Sequence, residues 1–262
     1  MAEPRSITFK SIPFGGIEID NLSLTEARGV IKQMIKTNRP GYVVTPNAHH
    51  LYMLKKDPGL KKAYRNAALI LPDGMSVILA LRLLGYKSKE RCAGADLFQS
   101  AIDAAARNSK KIFILGGINH SEKKAEIRLR AEYPGIHVFT YSPPFGFEND
   151  EDETGRIIRM INQFRSDVLF LCVGCPKSEK WIYQNRSRIK PCLALAFGDS
   201  LNFFTGDKKR APVIIQKTGF EWLFRFLQEP GRLWKRYLIG NLYFIKLFFT
   251  ELLKKPFFSA KR

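Results

Sequence analysis

From residue 24 to about residue 205 the chain alternates short apolar or β-branched runs with longer segments whose apolar positions recur at helical spacing. No other feature constrains the fold as much. The runs are Tyr42-Val-Val-Thr45, Ala68-Leu-Ile-Leu71, Lys111-Ile-Phe-Ile-Leu115, Ile136-His-Val-Phe139, Asp167-Val-Leu-Phe-Leu-Cys-Val173 and Cys192-Leu-Ala-Leu-Ala-Phe197. Strands that read as apolar throughout are buried on both faces, and strands separated by crossover helices run parallel. The pattern therefore predicts an α/β fold, a Rossmann-like, mainly parallel sheet with flanking helices. Ahead of it, Ile7-Thr-Phe-Lys-Ser-Ile12 and Ile17-Glu-Ile-Asp20 around Phe14-Gly15-Gly16 predict a β-hairpin. Beyond Gly206 the alternation stops, residues 220–258 are aromatic, aliphatic and basic, and Pro230 separates two helices. The expected organisation is a core over residues 1–206 and a helical C-terminal appendage over residues 207–262.

Charge narrows the class of partner. Lys and Arg number 43 against 24 Asp and Glu, a net charge of +19, which calls for a polyanion: nucleic acid, acidic lipid or a phosphorylated substrate. From Asp207 onward cations outnumber acids thirteen to four, so the excess concentrates in the appendage. Residues 237–253 are strongly apolar but carry Asn241, Lys246 and Glu251, and they fall short of the roughly 20 apolar residues of a spanning helix. With Arg232, Lys235 and Arg236 before it and Lys254, Lys255, Lys261 and Arg262 after it, the segment suits an interfacial helix on an anionic membrane surface. The alternative is that its apolar face packs on the core or on a second subunit in a homo-oligomer. Nucleic acid ranks lower, because no helix-turn-helix, zinc or RNA-binding signature is present and the apolar density exceeds what phosphate contacts need. No apolar signal segment opens the sequence, so the expected location is cytoplasmic, peripheral on the inner face of the cell membrane.

Several strands run into polar or glycine residues followed by a helix: Thr45-Pro46-Asn47, Pro72-Asp73-Gly74, Gly116-Gly117, Gly174-Cys-Pro176 and Gly198-Asp-Ser200. In an open parallel sheet these turns share the carboxyl edge, where ligands bind. Asp73, near a helix N-terminus, has the position of a general base kept ionised by the helix dipole, or of an ordinary cap. Thr45 and Asn47 offer hydrogen bonds to a sugar or phosphate, with capping again the plainer role for Asn47. Gly116-Gly117 resembles the opening of a nucleotide loop, but no acidic residue closes the strand near Phe139, which disfavours a dinucleotide enzyme. Cys172-Val-Gly-Cys175 is formally a C-x-x-C, yet Cys172 belongs to an apolar run and no second pair accompanies it. Asp150-Glu151-Asp152 formally matches a metal-holding D-x-D, but its setting reads as a solvated helix start. No metal and no cofactor are expected, so a diphosphate would be met by helix N-termini and by cations such as Arg91, Lys177, Lys209 and Arg210.

Taken together, Thr45-Pro-Asn-Ala-His-His-Leu51, Leu71-Pro-Asp-Gly-Met75, Arg91-Cys-Ala-Gly-Ala-Asp-Leu-Phe98, Ile112-Phe-Ile-Leu-Gly-Gly117, Gly174-Cys-Pro-Lys-Ser-Glu-Lys-Trp181 and Lys209-Arg-Ala-Pro212 resemble the WecG/TagA/CpsF glycosyltransferases in content and order. Glu221-Trp-Leu-Phe-Arg-Phe-Leu-Gln-Glu-Pro230 and Arg232-Leu-Trp-Lys-Arg-Tyr237 extend the match over nearly the whole chain. The resemblance implies an inverting, metal-independent hexosyltransferase that takes a UDP-sugar, of the N-acetylmannosamine type, its uronate or a hexose. The acceptor it implies is a polyprenyl-diphosphate-linked saccharide, in the synthesis of cell-surface polysaccharide. It implies Asp73 as the catalytic base, Thr45, Asn47 and Arg91 at the sugars, and Gly116, Gly117, Lys177, Ser178, Glu179 and Arg210 as further substrate contacts. Arg225, Arg232 and Arg236 would close the site from the appendage or bind lipid diphosphate. One departure bears on the donor: the family commonly has Gln where Ser178 stands, and a hydroxyl cannot make both amide hydrogen bonds. The competing reading is a non-catalytic basic protein that binds membrane or nucleic acid.

Overall fold

A computed structural model describes residues 9–254, the side chains of Lys217, Arg232 and Arg236 excepted. The chain opens with an antiparallel hairpin, β1 (Ser11–Phe14) and β2 (Ile17–Asp20). The first strand starts later than the run from Ile7 suggests. Residues 1–8 of that reading lie outside the described residues. Its register is set by Gly15 and Gly16, both at positive φ (62° and 82°), which make a two-residue turn and pair Phe14 directly with Ile17. Ile12, Phe14, Ile17 and Ile19 are buried, and the Asp20 carboxylate accepts the Ile70 amide at 2.8 Å, tying the hairpin to the main sheet.

The alternating pattern then forms α1 (Leu24–Lys36), β3 (Gly41–Val44), α2 (Ala48–Lys56), α3 (Pro58–Arg65), β4 (Leu69–Ile70), α4 (Met75–Leu83) and α5 (Gly94–Arg107). It continues as β5 (Ile112–Gly116), α6 (Ser121–Glu132), β6 (Val138–Tyr141), α7 (Glu151–Phe164), β7 (Val168–Cys172), α8 (Lys177–Asn185), β8 (Leu193–Ala196) and α9 (Ser200–Phe204). All six expected strands form, in one parallel sheet of order β4-β3-β8-β7-β5-β6. Because side chains alternate along a strand, each strand feeds two cores. Val44, Phe113, Leu115, Leu169 and Leu171 pack with the hairpin, α2, α3, α4, α7 and α8; Val43, Ile112, Ile114, Val168 and Phe170 pack with α1, α5, α6 and α9. At the end of β5, Gly116 has φ +113°, and a Cβ there would lie 2.6 Å from the Cys172 carbonyl of the neighbouring strand. Glycine is required at that point by the sheet itself, before any ligand is considered.

After Gly206 come three helices and no strand among the described residues: α10 (Val213–Thr218), α11 (Glu221–Gln228) and α12 (Pro230–Lys254), with Pro230 opening the last as its position predicts. α12 lies along α2. Gly240 lets the two touch, since a Cβ there would be 3.2 Å from His49 Nδ1, and Tyr243 and Phe244 meet Tyr52 and Phe14. Leu233 and Leu247 are buried on this inner side. Trp234, Leu238, Leu242, Ile245, Phe249 and Leu252 recur every three or four residues on the opposite side and are all exposed. Among the described residues no helix is long and apolar enough to cross a membrane.

Candidate active site

A parallel sheet brings the turns after β3, β4, β8, β7 and β5 to one edge. The first two are stitched together: the Leu71 amide donates to the Val44 carbonyl at 3.0 Å and the Asp73 amide to the Pro46 carbonyl at 2.9 Å. The Cys92 amide donates to the Pro72 carbonyl at 2.7 Å, which brings the segment carrying Arg91 beside the same turn. Asp73 thus sits where Thr45, Asn47 and Arg91 converge.

Asp73 does not cap α4. The cap position is Gly74, which makes no side-chain cap bond, and the Asp73 carboxyl has no hydrogen-bond partner among the described residues. Nor does a helix dipole keep it ionised, as its place in the sequence suggests. Burial pushes its pKa up to about 7, with the like charges of Glu221 and Asp96 adding to the rise and Arg91 and Arg225 opposing it. A carboxyl half-ionised near neutrality, partly open to solvent and free of structural bonds, is suited to take a proton.

Around it stands a network of alternating charge. Arg91, nearly buried, donates from Nη1 to Glu221 at 2.5 Å and from Nη2 to Gln216 at 2.8 Å and Asp96 at 3.2 Å. Glu221 and Gln216 belong to α11 and α10, so one core arginine holds two helices of the appendage. Arg210 gives Nη1 to Asp96 at 2.6 Å, but its Nε and Nη2 are buried without a partner. Arg225 donates to Asp199 at 2.8 Å and lies over the Phe203 ring, and Lys208 bridges Asp199 and Glu229. Two buried guanidinium donors without an acceptor are costly unless an anion completes them. They belong to a network whose other cations, Arg91, Arg225 and Lys208, are each paired with an acid.

The other sequence candidates separate. Thr45 is buried at the turn. Asn47 caps α2, its side-chain oxygen accepting the amides of His49 and His50 at 3.1 and 3.3 Å, which leaves its amide nitrogen for a ligand. Gly117, like Gly116, is confined by its neighbours, a Cβ meeting the Glu122 amide nitrogen at 3.1 Å. Lys177 pairs with Glu148 at 2.8 Å and lies over Phe145. Ser178 is buried, its hydroxyl donating to the Leu171 carbonyl at 3.3 Å, so in this geometry it holds α8 to β7 and presents nothing to the cleft. Glu179 lies below the cleft, buried beside Tyr64, its pKa pushed up to about 7 by burial. Arg232 and Arg236 are on α12, with side chains outside the described residues. Asp150 caps α7 by accepting the amides of Asp152 and Glu153, which makes the D-x-D a helix start. Sequence reasoning missed the acids that organise the arginines. Asp96 was visible as an acid in the first turn of a helix inside a recognised motif, Asp199 in the turn after β8, and Glu221 as the opening residue of a motif in the appendage.

An open parallel sheet whose carboxyl edge carries an unbonded carboxyl and a set of arginines suits an anionic substrate and a proton transfer. Residues 12–257 match the Glycosyl transferase WecG/TagA/CpsF family, and the chain belongs to that family. It is 31% identical over 224 residues to an N-acetylglucosaminyldiphosphoundecaprenol N-acetyl-beta-D-mannosaminyltransferase of Bacillus spizizenii, covering 86% of this chain and 83% of the relative. It is 30% identical over 254 residues to a protein of the same description from Staphylococcus aureus, covering 96% of this chain and 95% of the relative. The chain is a glycosyltransferase, and the reading of it as a non-catalytic binding protein is set aside.

Proposed function

We propose that this enzyme transfers an N-acetylmannosamine-type sugar from a UDP-sugar to a polyprenyl-diphosphate-linked saccharide at the inner face of the membrane, with Asp73 as base. The acceptor hydroxyl attacks the anomeric carbon from the side opposite the diphosphate. Asp73 takes its proton as the new bond forms, the bond to the diphosphate oxygen breaks, and UDP leaves with the electron pair, inverting the anomeric centre. Arg210 supplies donors to the leaving diphosphate, with Arg91 and Arg225 adding positive potential. The observation that carries this reading is the pairing of an unbonded, neutral-range carboxyl with unpartnered guanidinium donors on one sheet edge. The names of the relatives support the acceptor and the transferred sugar.

The open apolar stripe of α12 supports contact with a lipid surface. Six large side chains face outward there, with Lys235 and Lys246 at the margins, and Trp222, Leu223 and Leu227 of α11 are exposed as well. A helix docked by one face and apolar on the other suits a membrane carrying a lipid-linked acceptor. Incubating the purified protein with a panel of UDP-sugars and a prenyl-diphosphate-linked N-acetylglucosamine analogue, with products weighed by mass spectrometry, tests the proposal. Addition of one N-acetylhexosamine with release of UDP is expected, and no transfer from any UDP-sugar in the presence of lipid vesicles sinks it.

A further inference from the structure

Beneath the Thr45–Asn47 turn lies a polar cluster that the transfer chemistry does not use. His50 in the first turn of α2, Cys175 in the turn after β7 and Glu179 in the first turn of α8 each present one ligand atom, all within 4.8 Å of one another. His50 and Glu179 are buried, and Cys175 is the only one of the four cysteines that is not. One carboxylate oxygen, Glu179 Oε2, is buried without a hydrogen-bond partner.

We infer that His50, Cys175 and Glu179 form a site for a thiophilic divalent cation of the zinc(II) class, which clamps α2 to α8 below the catalytic turn. Imidazole, thiolate and carboxylate together are the donor set that such cations prefer, whereas magnesium seeks oxygen alone. Around a tetrahedral ion with bonds of roughly 2.0–2.3 Å, ligand atoms lie roughly 3.5 Å apart, so adjustments of about 1 Å in side-chain position close the site. With Nε2 as the ligand atom, the Tyr64 hydroxyl, 2.9 Å from His50 Nδ1, would serve as the orienting bond that metal-ligating histidines usually carry. Partial exposure of Cys175 provides the way in and leaves a fourth position for water. On binding, the thiol proton of Cys175 and any proton on Glu179 are released to solvent, and no redox change occurs. The site is separate from the donor diphosphate, where the arginines supply the positive charge, so the inference stands whether or not the proposed substrates are correct.

Equilibrium dialysis of the full-length protein against zinc(II) and cobalt(II), followed by elemental analysis, tests it. One equivalent per chain is expected, with a thiolate-to-cobalt charge-transfer band that Cys175→Ser removes and a melting temperature that rises with zinc concentration. On the unmutated chain, zinc should slow alkylation of Cys175, mapped by mass spectrometry, by about tenfold or more, and magnesium should not. Substoichiometric binding, a cobalt spectrum without the thiolate band, or unchanged Cys175 alkylation would overturn the site, and the alkylation experiment gives that answer even where Cys175→Ser or His50→Gln fails to fold.

Discussion

The sheet edge and the C-terminal appendage meet across one cleft but are held by different forces. The edge is built on strands buried on both faces, so its turns are fixed by backbone bonds such as Asp73 to Pro46 and Cys92 to Pro72. The appendage buries little of itself: no residue of α11 is buried, and what fastens α10 and α11 is the Arg91–Glu221–Gln216 and Arg225–Asp199 contacts. Partly buried ion pairs return little net stability but depend strongly on both partners being present. The core therefore supplies a rigid base, and the appendage is fastened to it mainly by charge. This contrast also explains where the apolar surface lies, since the helices that contribute least to the core carry the exposed stripe.

The contrast is tested most severely at its rigid side. Asp73→Asn removes the base without touching a structural bond, so kcat should fall by about 10³-fold with unchanged circular dichroism. The same substitution should raise the melting temperature at pH 8. A carboxyl whose pKa rises from 3.8 to about 7 on folding favours the fold in its protonated form, so that stability is fully present below about pH 4 and lost as pH rises through about 7. Asparagine keeps it at all pH. A loss of activity accompanied by a lower melting temperature at pH 8 would mean that Asp73 is structural.

On the side of the appendage, Arg210→Gln should cost about 10²-fold in kcat/KM for the donor if, as proposed, the buried donors left by Asp96 meet the diphosphate. Undiminished turnover with a weaker fold would assign Arg210 to structure alone. Replacing Trp234, Leu238 and Leu242 together by Ser should weaken binding to anionic vesicles by roughly 10²-fold, at about 1 kcal/mol for each half-exposed side chain. Flotation measures it, and unchanged flotation would return the stripe to a protein partner. The smallest effect is expected for Glu221→Gln. Removing a like charge that raises the Asp73 pKa should move the acid limb of the rate profile to lower pH, while loosening α11. A shift to higher pH would contradict the charge arrangement.

The same division decides what the sequence could reveal. Burial on both faces writes a strand as a continuous apolar run, so five of the six runs were legible that way, and β6 by its apolar and aromatic residues although half exposed. The turns at the carboxyl edge that carry Asp73, Thr45 and Asn47 were legible by their place after the strands. Long-range contacts leave no such trace: nothing near Glu221 announces that it pairs with Arg91, and nothing near Glu179 announces that His50 lies beside it. Ser178 shows the converse. Its departure from the family residue was read as a change at the sugar, but in this fold its hydroxyl is spent on the Leu171 carbonyl. The hairpin forms about Gly15-Gly16 as expected, but a strand pattern before paired glycines fixes the turn and not the strand's extent, and among the described residues β1 begins at Ser11.

The central claim, that Asp73 is a base tuned by burial between core and appendage, is tested most directly by the pH dependence of kcat/KM for sugar transfer by the wild-type enzyme and by Asp73→Asn. The expected profile loses activity tenfold per pH unit below an apparent pKa of about 7 in the wild type, and this limb is absent from a residual rate in the variant. A wild-type rate that stays level from about pH 5 to pH 8, or the same acid limb retained in Asp73→Asn, would contradict it.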